Sequence, residues 1–481
     1  MSHDTVPSPP ARLTHRHVLF IALGGAIGTG LFLGSGKTIA AAGPAILFGY
    51  AICGLMIYLI ARALGEMTWH SPEAGSFSRF AELYIGRWAG FMTGWAYWCI
   101  WILVGMIELT GIGMQMKVWF PELPQWIPAF VVAALLFGVN LLNVRLYGEI
   151  EFGITLIKIL TVVALIVVGG GMVLHGQFMS NDPAAPHISN LWEHGGLLPH
   201  GAQGLLAALP IAAFSFAGIE VVGMTAAEAH EPRQVISRAV NGIVFRIFFF
   251  YIGALSIVMM LYAWDGLGSG SPFVTVFERA GLSTAATIIN IVVIASLISQ
   301  ANTGMFATSR MLRAMADQRQ AHRALAHTNR HNVPIAGLAV TLVMLMGGVL
   351  LNYLVPEHVF MLLANSVVVL LVWVWCIILV THIRFRRAMV QQGNPHNGFR
   401  LPLAPWSNIV GLLFQGFIVY LLWKDPSSRP VLATAPLWFG AMLAAWFIME
   451  IRQHGSEHVY KRILTSIKSV RAEQKASQRL S

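Results

Sequence analysis

The chain is short of charge. Only 11% of its 481 residues are Asp, Glu, Lys or Arg, and 56% are hydrophobic; soluble domains carry about 25% charged residues. Mean hydropathy is +0.66. A water-soluble domain is excluded. So is a membrane β-barrel, because the apolar runs are long and continuous instead of alternating. Cysteine is scarce too. Cys53, Cys99 and Cys376 all fall in apolar spans, so neither a disulfide framework nor a metal site follows from them. The 17 histidines lack H-E-x-x-H or similar ligand spacing, and most lie in tails or loops. No nucleophile–base pair and no phosphate-binding loop is evident, which argues against an enzyme and against an ATP-driven pump; no cofactor is expected. There is no Pro-rich or Ser-rich linker. Residues 1–16 are polar and contain proline, so they do not read as a signal peptide, and the first span is expected to be retained. The net charge of +10 is not a nucleic-acid patch, because the positives gather in alternate loops.

What is present is a series of apolar spans. Twelve are expected, near residues 18–42, 45–65, 88–116, 126–144, 152–174, 203–226, 240–263, 284–309, 335–353, 358–382, 406–423 and 433–451. Residues 310–333 hold five arginines and residues 383–404 hold four, whereas 177–201 hold no Lys or Arg. With an even number of spans, both termini are expected in the cytoplasm. The expected organisation is a cytoplasmic tail (1–17), one transmembrane domain (18–451) and a basic cytoplasmic tail (452–481) in the headgroup region or solvent. Within the domain, repeats near 18–174 and 203–382 would have five spans each and so be inverted, with 406–451 accessory.

The first span carries a run of glycines: Gly24, Gly25, Gly28 and Gly30, four in seven residues. Each is roughly 1 kcal/mol worse than alanine inside a helix, so the span is expected to unwind. Irregular backbone at that depth survives only against protein or a water-filled cavity. Close helix packing by small residues is the alternative. A dinucleotide-binding loop is rejected, because no strand precedes Gly28-x-Gly30. A second break, at residues 214–220 (FSFAGIE), falls in the first span of the second repeat. Paired broken helices point to a transporter's binding site. Freed N–H groups at one half-helix end suit a carboxylate, and freed carbonyls at the other suit an ammonium group. Together they would receive the zwitterionic head of an amino acid.

Glu108, Lys158 and Glu220 lie within spans. A charge at a helix centre costs about 2.5–3.5 kcal/mol on insertion scales, so each is either functional or a paired structural ion. Lys158 could exchange a proton, or its ammonium could stand where another kind of transporter binds sodium. Glu220 directly follows the second break and could sense its occupancy. Glu108 could face the substrate path. Tyr97, Trp98 and Trp101 enrich the third span. Most such aromatics are core or interface belt, but Phe214 and Phe216 flank an unwound segment, where one could close over substrate. Ser299, Gln300, Asn302 and Thr303 form a polar cluster in the eighth span, read either as interhelical hydrogen bonds or as substrate contact. Asn365 and Ser366 are weaker candidates of the same kind.

Several motifs occur in a shared order: residues 24–32, Gly43-Pro44, residues 62–66 (RALGE), residues 147–152 (YGEIEF), residues 214–220 and residues 271–274 (SPFV). Over roughly residues 13–450 the chain thereby resembles the amino acid transporter family of bacterial permeases, within the amino acid–polyamine–organocation superfamily. The resemblance implies an all-α fold of the leucine-transporter type, with a five-plus-five inverted repeat and discontinuous first and sixth helices. It also implies alternating access and proton-coupled uptake across the bacterial cytoplasmic membrane. It places the substrate carboxylate near Gly28, Thr29 and Gly30, and the amino group on carbonyls of Ala26, Phe214 and Ala217, beside Gly218. Phe214 matches an aromatic gate, Glu220 an acid tied to proton sensing, and Lys158 the lysine that replaces a sodium ion. Gly153, where tryptophan is usual, and Gln300, where small residues are usual, depart from the pattern. Local motifs resemble several subfamilies at once: threonine/serine (residues 125–129 with 144–152), D-alanine/D-serine/glycine (residues 34–39 and 309–312), aromatic (residues 108–110) and asparagine (residues 352–356) permeases.

The expected function is proton symport of a neutral amino acid, bound near the midplane among Ala26, Gly28, Thr29, Gly30, Phe214, Phe216, Ala217, Gly218, Glu108, Trp101 and Asn302. Lys158 and Glu220 would couple the proton. The partners are then a free amino acid, protons and membrane lipid, with no nucleic acid. An exchanger, with a cationic substrate on Glu108, and a transport-dead nutrient sensor are the alternatives. A channel is disfavoured, since no filter-like polar ring repeats through the chain.

Overall fold

A computed structural model describes residues 28–72, 76–141, 144–179, 186–220, 232–267, 270–329, 333–393 and 398–454. Among these residues there is helix and no strand. In a bilayer, every backbone polar group must find its partner within the protein, and helices achieve this segment by segment.

The first half begins with a π-helical turn, Gly30–Gly34, leading into α1 (Ser35–Ala42). Gly43, at φ 58°, turns the chain through Pro44 into α2 (Ile46–His70). An amphipathic helix, α3 (Phe77–Tyr84), is capped by Ser76, whose Oγ accepts the Arg79 N–H at 3.3 Å. Next come α4 (Arg87–Met116), α5 (Trp126–Leu141) and α6 (Val144–Met179). The second half opens with α7 (Gly201–Phe214). α8 (Pro232–Arg246) passes through the π turn Ile247–Gly253 into α9 (Ala254–Leu261). The short amphipathic α10 (Pro272–Arg279) precedes α11 (Ser283–Asp317), α12 (Ile335–Leu354) and α13 (Val359–Gln391). α14 (Trp406–Lys424) and α15 (Arg429–His454) end the described chain.

Among the described residues nine helical stretches are long and apolar enough to cross a membrane, and α5 and α7 are shorter apolar helices. Val167, Phe248 and Val343 stay about two-thirds exposed on the outer faces, as lipid-facing residues do. The protein is a multi-pass membrane protein. The expected second span runs on to His70, and the eighth and tenth run on to Asp317 and Gln391. The expected tail at 1–17, and residues 455–481 of the expected C-terminal tail, lie outside the described residues.

The packing carries the internal repeat. α1 packs on α7, α2 on α8, α4 on α11 and α5 on α12, each pair five spans apart. Two further pairs of contacts also match. α6 against α11 corresponds to α4 against α13, and α6 against α9 corresponds to α2 against α13. Exchange of the two halves thus maps these contacts onto one another, in keeping with an internal repeat.

A polar clasp ties one end of this bundle. Glu66, buried near the end of α2, accepts Arg386 Nε at 2.9 Å and Nη2 at 2.8 Å. It also accepts the Leu401 N–H at 2.6 Å, and His382 Nε2 lies 3.0 Å away. Asn408 Nδ2 sits 3.0 Å from His382 Nδ1. An amide nitrogen can only donate there, so Nε2 is the ring N–H that faces Glu66. Arg62 donates to the Arg400 carbonyl at 2.7 Å and to Asn241 Oδ1 at 2.6 Å, and stacks 3.8 Å above the Phe399 ring. The segment between α13 and α14 is thereby fastened to α2, α8 and α13.

Candidate functional site

The described parts of the two expected breaks, residues 28–32 and 214–220, lie against each other. α7 stops at Phe214, and residues 214–220 continue as tight turns: Phe216 N bonds Ala213 O at 3.1 Å and Ala217 N bonds Phe214 O at 2.9 Å. Gly218 has φ 94°, a conformation that glycine adopts without strain. On the other strand of the site, both Leu31 N and Phe32 N bond Gly28 O at 3.1 Å, and the π turn follows. Gly24, Gly25 and Ala26 lie outside the described residues.

The glycines at the first break are there for close approach. A Cβ on Gly30 would sit 2.5 Å from Ser215 Cα, and one on Gly28 would sit 2.3 Å from Gln300 Nε2. Ser215 Oγ stands between the broken helices, 3.1 Å from both the Gly30 and Ile211 carbonyls. The Ser215 carbonyl accepts Tyr251 Oη at 2.6 Å. Tyr251 belongs to the π turn of the seventh span, a motif frequent at functional sites. The carbonyls freed by unwinding are thus partly satisfied by side chains from other helices.

A cavity of about 30 Å³ lies at this junction, lined by Gly28, Thr29, Gly30, Trp101, Glu108, Phe214, Ala217, Gly218 and Glu220 among the expected residues. That is room for a water or two, and the Gln300 amide fills the space beside Gly28. Ile100, Val104, Ser215 and Gln300 complete the wall. Ile100 and Val104 precede Glu108 at four-residue steps on one face of α4, a signal that helical periodicity carries. Ser215 was legible as the polar residue inside the break.

Several polar atoms here lack a protein partner. Glu108 approaches Thr29, yet neither Thr29 Oγ1 nor Glu108 Oε2 completes a hydrogen bond with a described residue. Glu220 Oε1 accepts the Gly218 N–H at 3.1 Å, while Oε2 completes no hydrogen bond with a described residue; Tyr97 and Trp375 lie near the carboxylate. Buried polar groups are usually satisfied, so a cluster of unsatisfied ones in one cavity is the mark of a site for a polar guest.

Other expected residues lie away from the cavity wall. Phe216 packs on Tyr50 and Tyr251, with ring centroids 6.1 and 4.9 Å away. Asn302 accepts Asn140 Nδ2 at 2.7 Å, which ties α11 to α5. Tyr97 packs edge-on against Phe77 and Trp101. Asn365 donates to Ser428 Oγ at 2.8 Å, and Ser366 to its own helix. Lys158 is fully buried in α6 and donates to Ser299 Oγ at 3.2 Å. The Ser299 hydroxyl lies 2.7 and 2.6 Å from the two oxygens of Glu151. Glu151 carries no role in the sequence reading, although its seven-residue spacing from Lys158 sets both on one helix face. No group of His, Cys, Asp and Glu suited to a metal ion occurs among the described residues.

Comparison with known proteins fits this geometry. The model of a family described as amino acid permease matches residues 17–449. An uncharacterized amino acid permease of Bacillus subtilis (strain 168), YtnA, is 41% identical over 436 residues, covering 90% of this chain and 94% of that protein. The aromatic amino acid transport protein AroP of Escherichia coli (strain K12) is 43% identical over 427 residues, covering 89% and 92%. A probable threonine/serine transporter of Bacillus subtilis, YbxG, is 38% identical over 447 residues, covering 93% and 96%.

Proposed function

The chain belongs to the amino acid permease family, and from that premise we propose that it imports a neutral amino acid by proton symport with alternating access. Amino acid transport itself follows from the family; coupling, direction and specificity are the proposal. The observation that carries it is the meeting of residues 28–30 and 214–220 at one cavity, with Lys158 buried and hydrogen-bonded to a hydroxyl. The zwitterionic head is read at Gly28, Thr29, Gly30, Phe214, Ala217 and Gly218. Ile100, Trp101 and Val104 offer an apolar wall to the side chain, with Phe214 as the gate. The relative AroP transports aromatic amino acids and YbxG is named for threonine and serine, so phenylalanine and threonine are the first substrates to try. The arginines of residues 310–333 and 383–404 support a reading in which both termini lie in the cytoplasm of a bacterium, beneath its inner membrane.

Lys158 and Glu220 are assigned to proton coupling. In proteoliposomes, Lys158→Ala is expected to abolish accumulation driven by an imposed proton gradient while retaining some counterflow. Undiminished driven uptake in that variant would remove Lys158 from the mechanism. A second reading, exchange of a cationic amino acid, draws on the Glu108 carboxylate in the cavity wall, whose Oε2 has no partner among the described residues. Accumulation without any amino acid inside the vesicle excludes it.

A further inference from the structure

The polar chain behind the cavity has a direction. Lys158 donates to the Ser299 hydroxyl at 3.2 Å, and that hydroxyl lies 2.7 and 2.6 Å from the Glu151 carboxylate oxygens. Lys158 has only nitrogen-bound protons to give, and a carboxylate can only accept, so the hydroxyl accepts from one and donates to the other. Glu151 and Lys158 share one face of α6, seven residues and about 10 Å apart along the axis. Lys158 is fully buried, whereas Glu151 is only partly so. Charges acting on Lys158 from the described residues come from Glu151, on its own helix, and Glu108, across on α4; α11 presents the neutral Ser299. A serine between the two charges is a weaker static pairing than direct contact, but it is a path along which a proton can pass.

We infer that Glu151 is the proton acceptor through which Lys158 discharges, with the Ser299 hydroxyl as relay. The inference rests on the symport reading and on the orientation given above, which puts the Glu151 end of α6 toward the cytoplasm. In the step, an N–H bond of the Lys158 ammonium breaks as an O–H bond forms on Ser299. The serine's original O–H breaks as a new one forms on Glu151. The products are a neutral amine, an unchanged serine and a carboxylic acid, and water at the partly exposed end takes the proton from Glu151. Glu108 faces Lys158 from the cavity side, so substrate and proton reach the same lysine from opposite directions. Glu151 touches no substrate; it acts through Lys158.

The test compares gradient-driven uptake with counterflow in proteoliposomes, using radiolabelled phenylalanine or whichever of the protein amino acids a competition panel selects. Ser299→Ala and Glu151→Gln should lower driven uptake by about a hundredfold more than counterflow, the low end of what a positioned proton-transfer group contributes. Ser299→Thr keeps a hydroxyl and Glu151→Asp keeps an acid, so both should restore most of the driven rate. The Glu151→Asp protein should also show a shifted dependence of driven rate on internal pH. Equal losses in both assays, or no rescue by the conservative variants, overturn the relay, because a purely structural role gives that result. A wild-type protein that accumulates nothing under a proton gradient overturns the symport reading instead, and the relay with it.

Discussion

Glu66 and Glu108 are the same residue buried to the same depth, 3% and 2% exposed, in opposite circumstances. Glu66 is saturated. Two guanidinium N–H groups, a backbone N–H and a histidine ring surround it, and they come from α13 and the segment leading into α14. Glu108 is left incomplete beside an equally incomplete Thr29 at the broken helices. A buried charge costs free energy unless paired and hydrogen-bonded. The clasp meets that requirement within the protein, while the proposed site leaves it unmet among the described residues. One region ties helices together, and the other is the one proposed to bind substrate.

Removal of one partner from the clasp should give the largest effect. Glu66→Ala is expected to cost about 3–5 kcal/mol, as breaking a buried pair leaves the other charge uncompensated. A thermal melt in detergent micelles checks this, and an unchanged Tm would mean that the clasp does not hold the fold. The cavity should respond in the reverse manner. Glu108→Gln removes an incompletely bonded carboxylate, so Tm should change by less than about 1 kcal/mol in equivalent stability. Transport should nevertheless fall, read as kcat/KM, by about tenfold or more. If Glu108→Gln melts as early as Glu66→Ala, the two glutamates are both structural and the contrast collapses.

The smallest effect is expected at Asp425, outside the spans, between α14 and α15. Burial raises its carboxyl pKa, but hydrogen bonds from the Ser427 and Ser428 side chains and backbone outweigh it and hold the group below the ordinary range. A depressed folded-state value stabilises the fold above the unfolded value of about 3.9, and the contribution is lost as pH falls through the folded value. Asp425→Asn should therefore cost less than ~1 kcal/mol near neutral pH, given the solvent access of the group. The difference from wild type should vanish in acid melts, and a pH-independent difference would assign it to packing instead.

Much of the fold was legible without coordinates, and the site half so. The glycine run and residues 214–220 mark the breaks because helix propensity is a local property. Trp101, Glu108 and Phe214 reach the cavity as their positions in the third and sixth spans suggest. Phe216 and Asn302 turn elsewhere. Phe216 lies two residues from Phe214, and in a helical turn that spacing points a side chain to another face. Asn302 and Gln300 are likewise two apart on α11, so one meets α5 and the other meets Gly28. Periodicity separates such neighbours into faces, but it does not name the face toward the site.

The sequence by itself determined the membrane class, most span positions and the place, residues 214–220, where α7 gives way to turns. Each depends on composition or propensity within a few residues. The tertiary structure decided partnership. Glu151 and Ser299 are 148 residues apart, and Glu66 and Arg386 are 320 apart. Polar groups in an apolar interior must pair with whatever the neighbouring helices present, and helix packing settles which helices are neighbours.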